Sequence, residues 1–149
     1  MFGSIVDVFR WHGARKKSAA GDYHGALILL DKIKHLKTFP FTVDVYRADC
    51  HQRLGNYDLS LAAYLSARDG LLDQIGASKI VADDAAYMEL YIRNGVAFAE
   101  NKLNQDNSSQ VVYNWNQIKL LNVSQRLKAA FPLPMHPDWL ESDHAVGFS

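Results

Sequence analysis

GDYHGALILL, residues 21–30, returns in altered form as GNYDLSLAAY, residues 55–64. Gly21, Asp22 and Tyr23 correspond to Gly55, Asn56 and Tyr57, 34 residues further along. A glycine at such a point can end a helix in the left-handed conformation that a Cβ penalises. The Asp or Asn after it can cap a new helix by accepting a free N–H. A tyrosine comes next, where an aromatic ring can lie across the joint, and three residues later stands a small residue, Ala26 or Ser60. Each copy therefore predicts a tight turn between two antiparallel helices. The flanking segments agree. Ala26, Leu27, Leu30 and Ile33, widened by Leu29 and Leu36, form an apolar stripe over 22–36. Leu61, Tyr64, Leu65, Ala67, Leu71 and Leu72 do the same over 57–72. Breaks are expected at Thr38-Phe39-Pro40, around Gly70–Gly76, at 104–109 and from Pro132 onward. Strand-like alternation is almost absent, so the fold class is all-α, built of helix hairpins repeated at 34 residues.

That period and these positions resemble the tetratricopeptide-repeat (TPR) family. Ala14 and Ala48 fall at the family's small position in the first helix, the two Gly–polar–Tyr turns match its turn, and Ala26 and Ser60 match the small position of the second helix. Tyr64 and Ala67 match later positions, and Pro40 lies near the terminal proline. The large aromatic that opens the family's first helix is shifted, with Trp11 and Tyr46 nearby. A third unit is fainter: YIRNGVAFAENK (91–102), with Gly95 at the small position and Phe98 at the aromatic one, followed by SSQVVYNWNQIKLL (108–121). The resemblance implies a short right-handed solenoid with units at about 7–40, 41–74 and 80–122, a cap to 131 and a Pro-containing tail over 132–149. Hairpins of this kind each leave an apolar face bare, so they must stack.

The 149 residues suffice for one domain with a real core. Lys and Arg number 16 and so do Asp and Glu, which gives no global pull toward nucleic acid or membrane. The charge is uneven, with seven basic and three acidic residues in 1–37 against six and ten in 38–106. Cys50 is the single cysteine, so no internal disulfide forms and a reducing, cytoplasmic setting is expected. No apolar run is long enough for a membrane span. In MFGSIVDVFRWHGARKK, residues 1–17, Phe2, Ile5, Val6 and Phe9 share one helix face. A packed first helix is expected there, ahead of a signal peptide or a helix lying on a membrane.

Motifs for chemistry are missing: the sequence holds no phosphate-binding glycine loop, G-x-S-x-G, H-E-x-x-H or C-x-x-C. Cys50 and His51 are adjacent, but neighbouring helical side chains point about 100° apart, so a buried structural cysteine is expected rather than a thiol–imidazole pair. The six histidines offer no i, i+4 pair for a metal. Asp83-Asp84 is expected to cap a helix. The chain is therefore expected to be no enzyme, with no catalytic residues, metal or cofactor. The basic clusters Arg15-Lys16-Lys17 and Lys32-Lys34-Lys37 invite phosphates, yet overall neutrality and the acidic middle argue against nucleic acid.

What the resemblance implies is a groove, lined by the first helix of each pair, that holds a partner peptide or protein. Carried across residue by residue, the groove positions are Val8, Trp11 and Arg15, then Val45, Asp49, Gln52 and Arg53, then Glu89, Ile92, Arg93 and Val96. The clamp by which some members of the family hold chaperone tails is not matched, since only Arg93 agrees with it. A tryptophan anchor and one arginine per unit (Arg15, Arg53, Arg93) predict a ligand with acidic and apolar residues. The competing reading has Arg53 and Arg93 merely paired with Asp49 and Glu89. The alternative function is a scaffold that self-associates into a homo-oligomer through the ends of the array; a third reading has the tail plugging its own groove through Trp139.

Overall fold

Both Gly–polar–Tyr turns end a helix in the same hydrogen-bonded way. Gly21 and Gly55 adopt φ of +84° and +81°, so an L side chain is strained at either. Gly21 N–H donates to Ser18 O and Asp22 N–H to Lys17 O, at 3.0 and 2.8 Å. Gly55 N–H donates to Gln52 O and Asn56 N–H to His51 O, at 3.1 and 2.8 Å. These are paired Schellman closures, which satisfy carbonyls left open at a helix end. Asp22 Oδ1 then accepts from Gly25 N–H at 2.9 Å and caps the next helix.

The computed structural model describes residues 2–34, 41–77, 82–103, 116–118 and 120–123. Among these residues the secondary structure is helical and no strand occurs. The helices are α1 (Phe2–Ala19), α2 (Tyr23–Lys32), α3 (Thr42–Arg53), α4 (Tyr57–Ala77) and α5 (Ala82–Lys102), with one more helical turn at 116–118. Each helix packs on the next, and α3 also touches α1 and α5. The expected Pro40 boundary, most of the partner helix 108–121, the cap and the tail lie outside the described residues.

Small residues sit where helices approach most closely. Ala14, Ala26, Ala48 and Ser60 are all fully buried. Ser60 Oγ donates to Ala48 O at 2.9 Å, joining the small positions of α3 and α4. Gly95 faces the ring of Tyr64, and a Cβ there would run into that ring. Two apolar clusters share α3. Trp11, Ala26, Leu30, Tyr46 and Cys50 form one among α1, α2 and α3. Val45, Tyr64, Leu71, Met88, Tyr91 and Ile92 anchor the other among α3, α4 and α5, which Ile118 and Val123 join. Because α3 is covered on both sides it buries polar residues too, among them Asp49 and Gln52.

Four expectations are corrected. The break around Gly70–Gly76 is absent, for α4 continues through both glycines to Ala77. Gly70 instead lets Phe41 come close, since a Cβ would lie 3.1 Å from Phe41 Cβ. The second helix stops at Lys32 rather than running to 36, and Ile33 is extended. It stops because the buried Asp7 carboxylate accepts the Lys34 N–H at 3.0 Å and draws the chain off the helix axis. Asp83 and Asp84 fall inside the first turn of α5, not before it, where they still suit the positive end of the helix. Finally, α1 packs through Asp7, Trp11 and Ala14, while Ile5, Val6 and Phe9 face outward.

Candidate functional site

The expected groove residues separate into two groups. Trp11, Val45, Asp49, Gln52 and Ile92 are buried, so the first two units do not present the surface that was expected of them. Trp11 is a core residue, its ring edge-on to Tyr46 at 4.9 Å, and is no exposed anchor. Val45 is fully buried against α4 and α5, and Val8 stands exposed on α1. The physical reason is shared: in a helix followed immediately by a stacked neighbour, the face that would line a groove is taken by that neighbour.

The arginines follow the competing reading in part. Arg53 Nε lies 3.0 and 3.1 Å from the two Asp49 oxygens, and Arg53 also donates to Tyr23 Oη at 3.3 Å. Its guanidinium rests over the Tyr23 ring at 5.6 Å. Burial raises the Asp49 carboxyl to about 6 despite the attraction of Arg53. Beside it Gln52 accepts from Tyr64 Oη at 3.4 Å. This network ties α2, α3 and α4 together from inside. Arg15 lies over Trp11 at 5.9 Å. Arg93 bonds Glu89 one turn earlier in α5, and both remain about half exposed.

Glu89, Ile92, Arg93 and Val96 do come together. They form one wall of a cleft whose other wall is Arg68, Leu71 and Leu72 of α4. Its volume is about 230 Å³. That is below the roughly 300–1,000 Å³ of sites for whole small molecules and is of side-chain size. Leu71 and Ile92 make a buried apolar floor, and Leu72 is 60% exposed at the edge. Arg68 forms no ion pair or hydrogen bond among the described residues, so one guanidinium faces the cleft unmatched. With Arg93 offset by Glu89, the rim carries one excess positive charge. The three α4 residues were missed in the sequence because the groove positions came from first helices alone. Leu71 and Leu72 had been assigned to the core stripe, and only Leu71 belongs there.

Cys50 is buried, and burial pushes its thiol up to about 12, far from a reactive thiolate. Among the described residues no group of three or more His, Cys, Asp or Glu is gathered as a metal site. No helix among them is long and apolar enough to cross a membrane. Comparison with protein-family models, with curated proteins and with solved structures finds no match.

Proposed function

We propose that the protein is a non-enzymatic binding module of TPR-like, right-handed stacked hairpins, whose ligand is a peptide segment of a partner protein. The contact pattern supports the stacking: α1 with α2 and α3 with α4 form successive hairpins, and α1, α3 and α5 adjoin in turn. The observation that carries the function is the α4–α5 cleft, an apolar floor of side-chain size beneath the unmatched Arg68 and the Glu89–Arg93 pair. An apolar side chain fills the floor, and a carboxylate next to it in the ligand meets Arg68 and draws Arg93 away from Glu89. Arginine suits that task because its planar fork matches a carboxylate. The exposed Glu89–Arg93 pair is worth roughly 0–1 kcal/mol, so exchanging it costs little.

Peptides selected from a random library test this reading. Enriched sequences should pair Leu, Ile or Phe with a nearby Asp or Glu. Replacing Arg68 and Arg93 by Glu should weaken those peptides by tenfold or more, whereas Arg15→Glu on α1, which does not line the cleft, should leave them unaffected. Peptides without acids, or indifferent to Arg68 and Arg93, would refute the proposal.

A further inference from the structure

The outward face of α1 is apolar at one end and cationic at the other. Ile5 and Phe9, one helical turn apart, are 58% and 73% exposed, and Val6 and Val8 flank them at 42% and 41%. His12 and Lys16 continue the same line at i+3 and i+4 spacing, both exposed, with Lys17 exposed beside them. The only acid in the helix, Asp7, is 1% exposed and turned inward, where it accepts from Arg10 at 2.9 Å and from the Lys34 N–H. The exposed side chains of α1 itself are therefore apolar and basic; at its carboxyl end Lys17 pairs with the exposed Asp22 at 3.4 Å, and Lys16 stands beside that pair. The helix is fixed to the fold through its opposite side: Gly13 abuts Leu29, Ala14 is buried, and Trp11 packs on Tyr46.

We propose that this face of α1 docks the protein on anionic lipid surfaces, with Ile5, Phe9, Val6 and Val8 entering the acyl boundary and Lys16 and Lys17 meeting the headgroups. Apolar insertion and a basic patch are two weak signals that together hold a protein reversibly at an interface. A second copy of the chain fits the face less well. Two such helices in contact would bring cation to cation, and the exposed acid beside them, Asp22, already pairs with Lys17 of its own chain. Nucleic acid would leave the apolar half without a partner. The residues also form a convex ridge on a single helix, which enters a planar interface readily but gives a peptide no walls. The face is separate from the α4–α5 cleft, so the two proposals stand or fall independently.

Vesicle flotation of the full chain tests it, using phosphatidylcholine alone and phosphatidylcholine with roughly one third phosphatidylserine. The protein should float with the anionic vesicles and not with the neutral ones. Raising salt from about 0.1 M to about 1 M should weaken the association several-fold through screening. The pairs Ile5→Ser with Phe9→Ser, and Lys16→Gln with Lys17→Gln, should each weaken it by about tenfold, with thermal melting unchanged because all four side chains are exposed. Failure of the wild type to float, or equal flotation by both pairs, overturns the proposal. So does a solution mass that halves on Ile5→Ser with Phe9→Ser, which would assign the face to a second copy. Saturable binding of an acidic, apolar protein helix to this face in place of vesicles would overturn it as well.

Discussion

At the residue scale the sharpest test lies with Asp49, because its ionisation is set against its burial. The carboxyl is raised from 3.8 to about 6 by desolvation, which outweighs the attraction of Arg53. Between those two values the folded state holds a proton that the unfolded chain releases. Stability contributed by this group is therefore complete below about pH 4 and lost as pH rises to about 6. Relative to Asp49→Asn, the wild type should lose of the order of 2–3 kcal/mol across that window, read as the shift in denaturation midpoint with pH. A constant difference between the two proteins would mean that Asp49 is ionised throughout. Gly95 makes a second residue-scale prediction. A methyl there meets the Tyr64 ring, which is fully buried, so Gly95→Ala should lower stability by roughly 1–3 kcal/mol in thermal melts.

At the scale of single helices, Asp7 and Arg10 decide how α1 and α2 join. Asp7 accepts the Lys34 N–H, and Arg10 donates to Lys32 O at 3.1 Å, closing the carboxyl end of α2. Asp7→Ala should cost about 2–4 kcal/mol, since it leaves a buried cavity and an unpaired amide, and hydrogen exchange at the Lys34 amide should quicken. Unchanged exchange would place the stop of α2 elsewhere. The same junction explains what the sequence conceals. Gly21 and Gly55 were legible as turns because their glycines, caps and tyrosines recur together, and each observed φ is positive. Gly70 was misread because a glycine that admits a neighbour's Phe41 has no local mark to separate it from one that ends a helix. The inner face of α1 was misread because apolar spacing pointed to Ile5 and Phe9. The buried face instead contains an acid whose partner lies 27 residues away.

For the whole molecule, the two Gly turns foretold that α1 packs on α2 and α3 on α4, and the exposed site followed only in part. Glu89, Ile92, Arg93 and Val96 were placed on one surface, and they share one cleft. Trp11, Asp49 and Gln52 occupy corresponding places in α1 and α3 but are buried, because stacking of the following helices covers them. Arg68 escaped notice, since its exposure depends on how the long α4 runs beside α5. The cleft's chemistry, an apolar floor with one unmatched guanidinium, now carries the functional claim. The most direct measurement is titration of a selected peptide, one bearing adjacent apolar and acidic residues, into wild type and into Arg68→Glu with Arg93→Glu. Binding by wild type that falls at least tenfold in the double variant, with both proteins melting alike, is the predicted result. Equal affinity for the two proteins would contradict the account and move recognition away from the α4–α5 cleft.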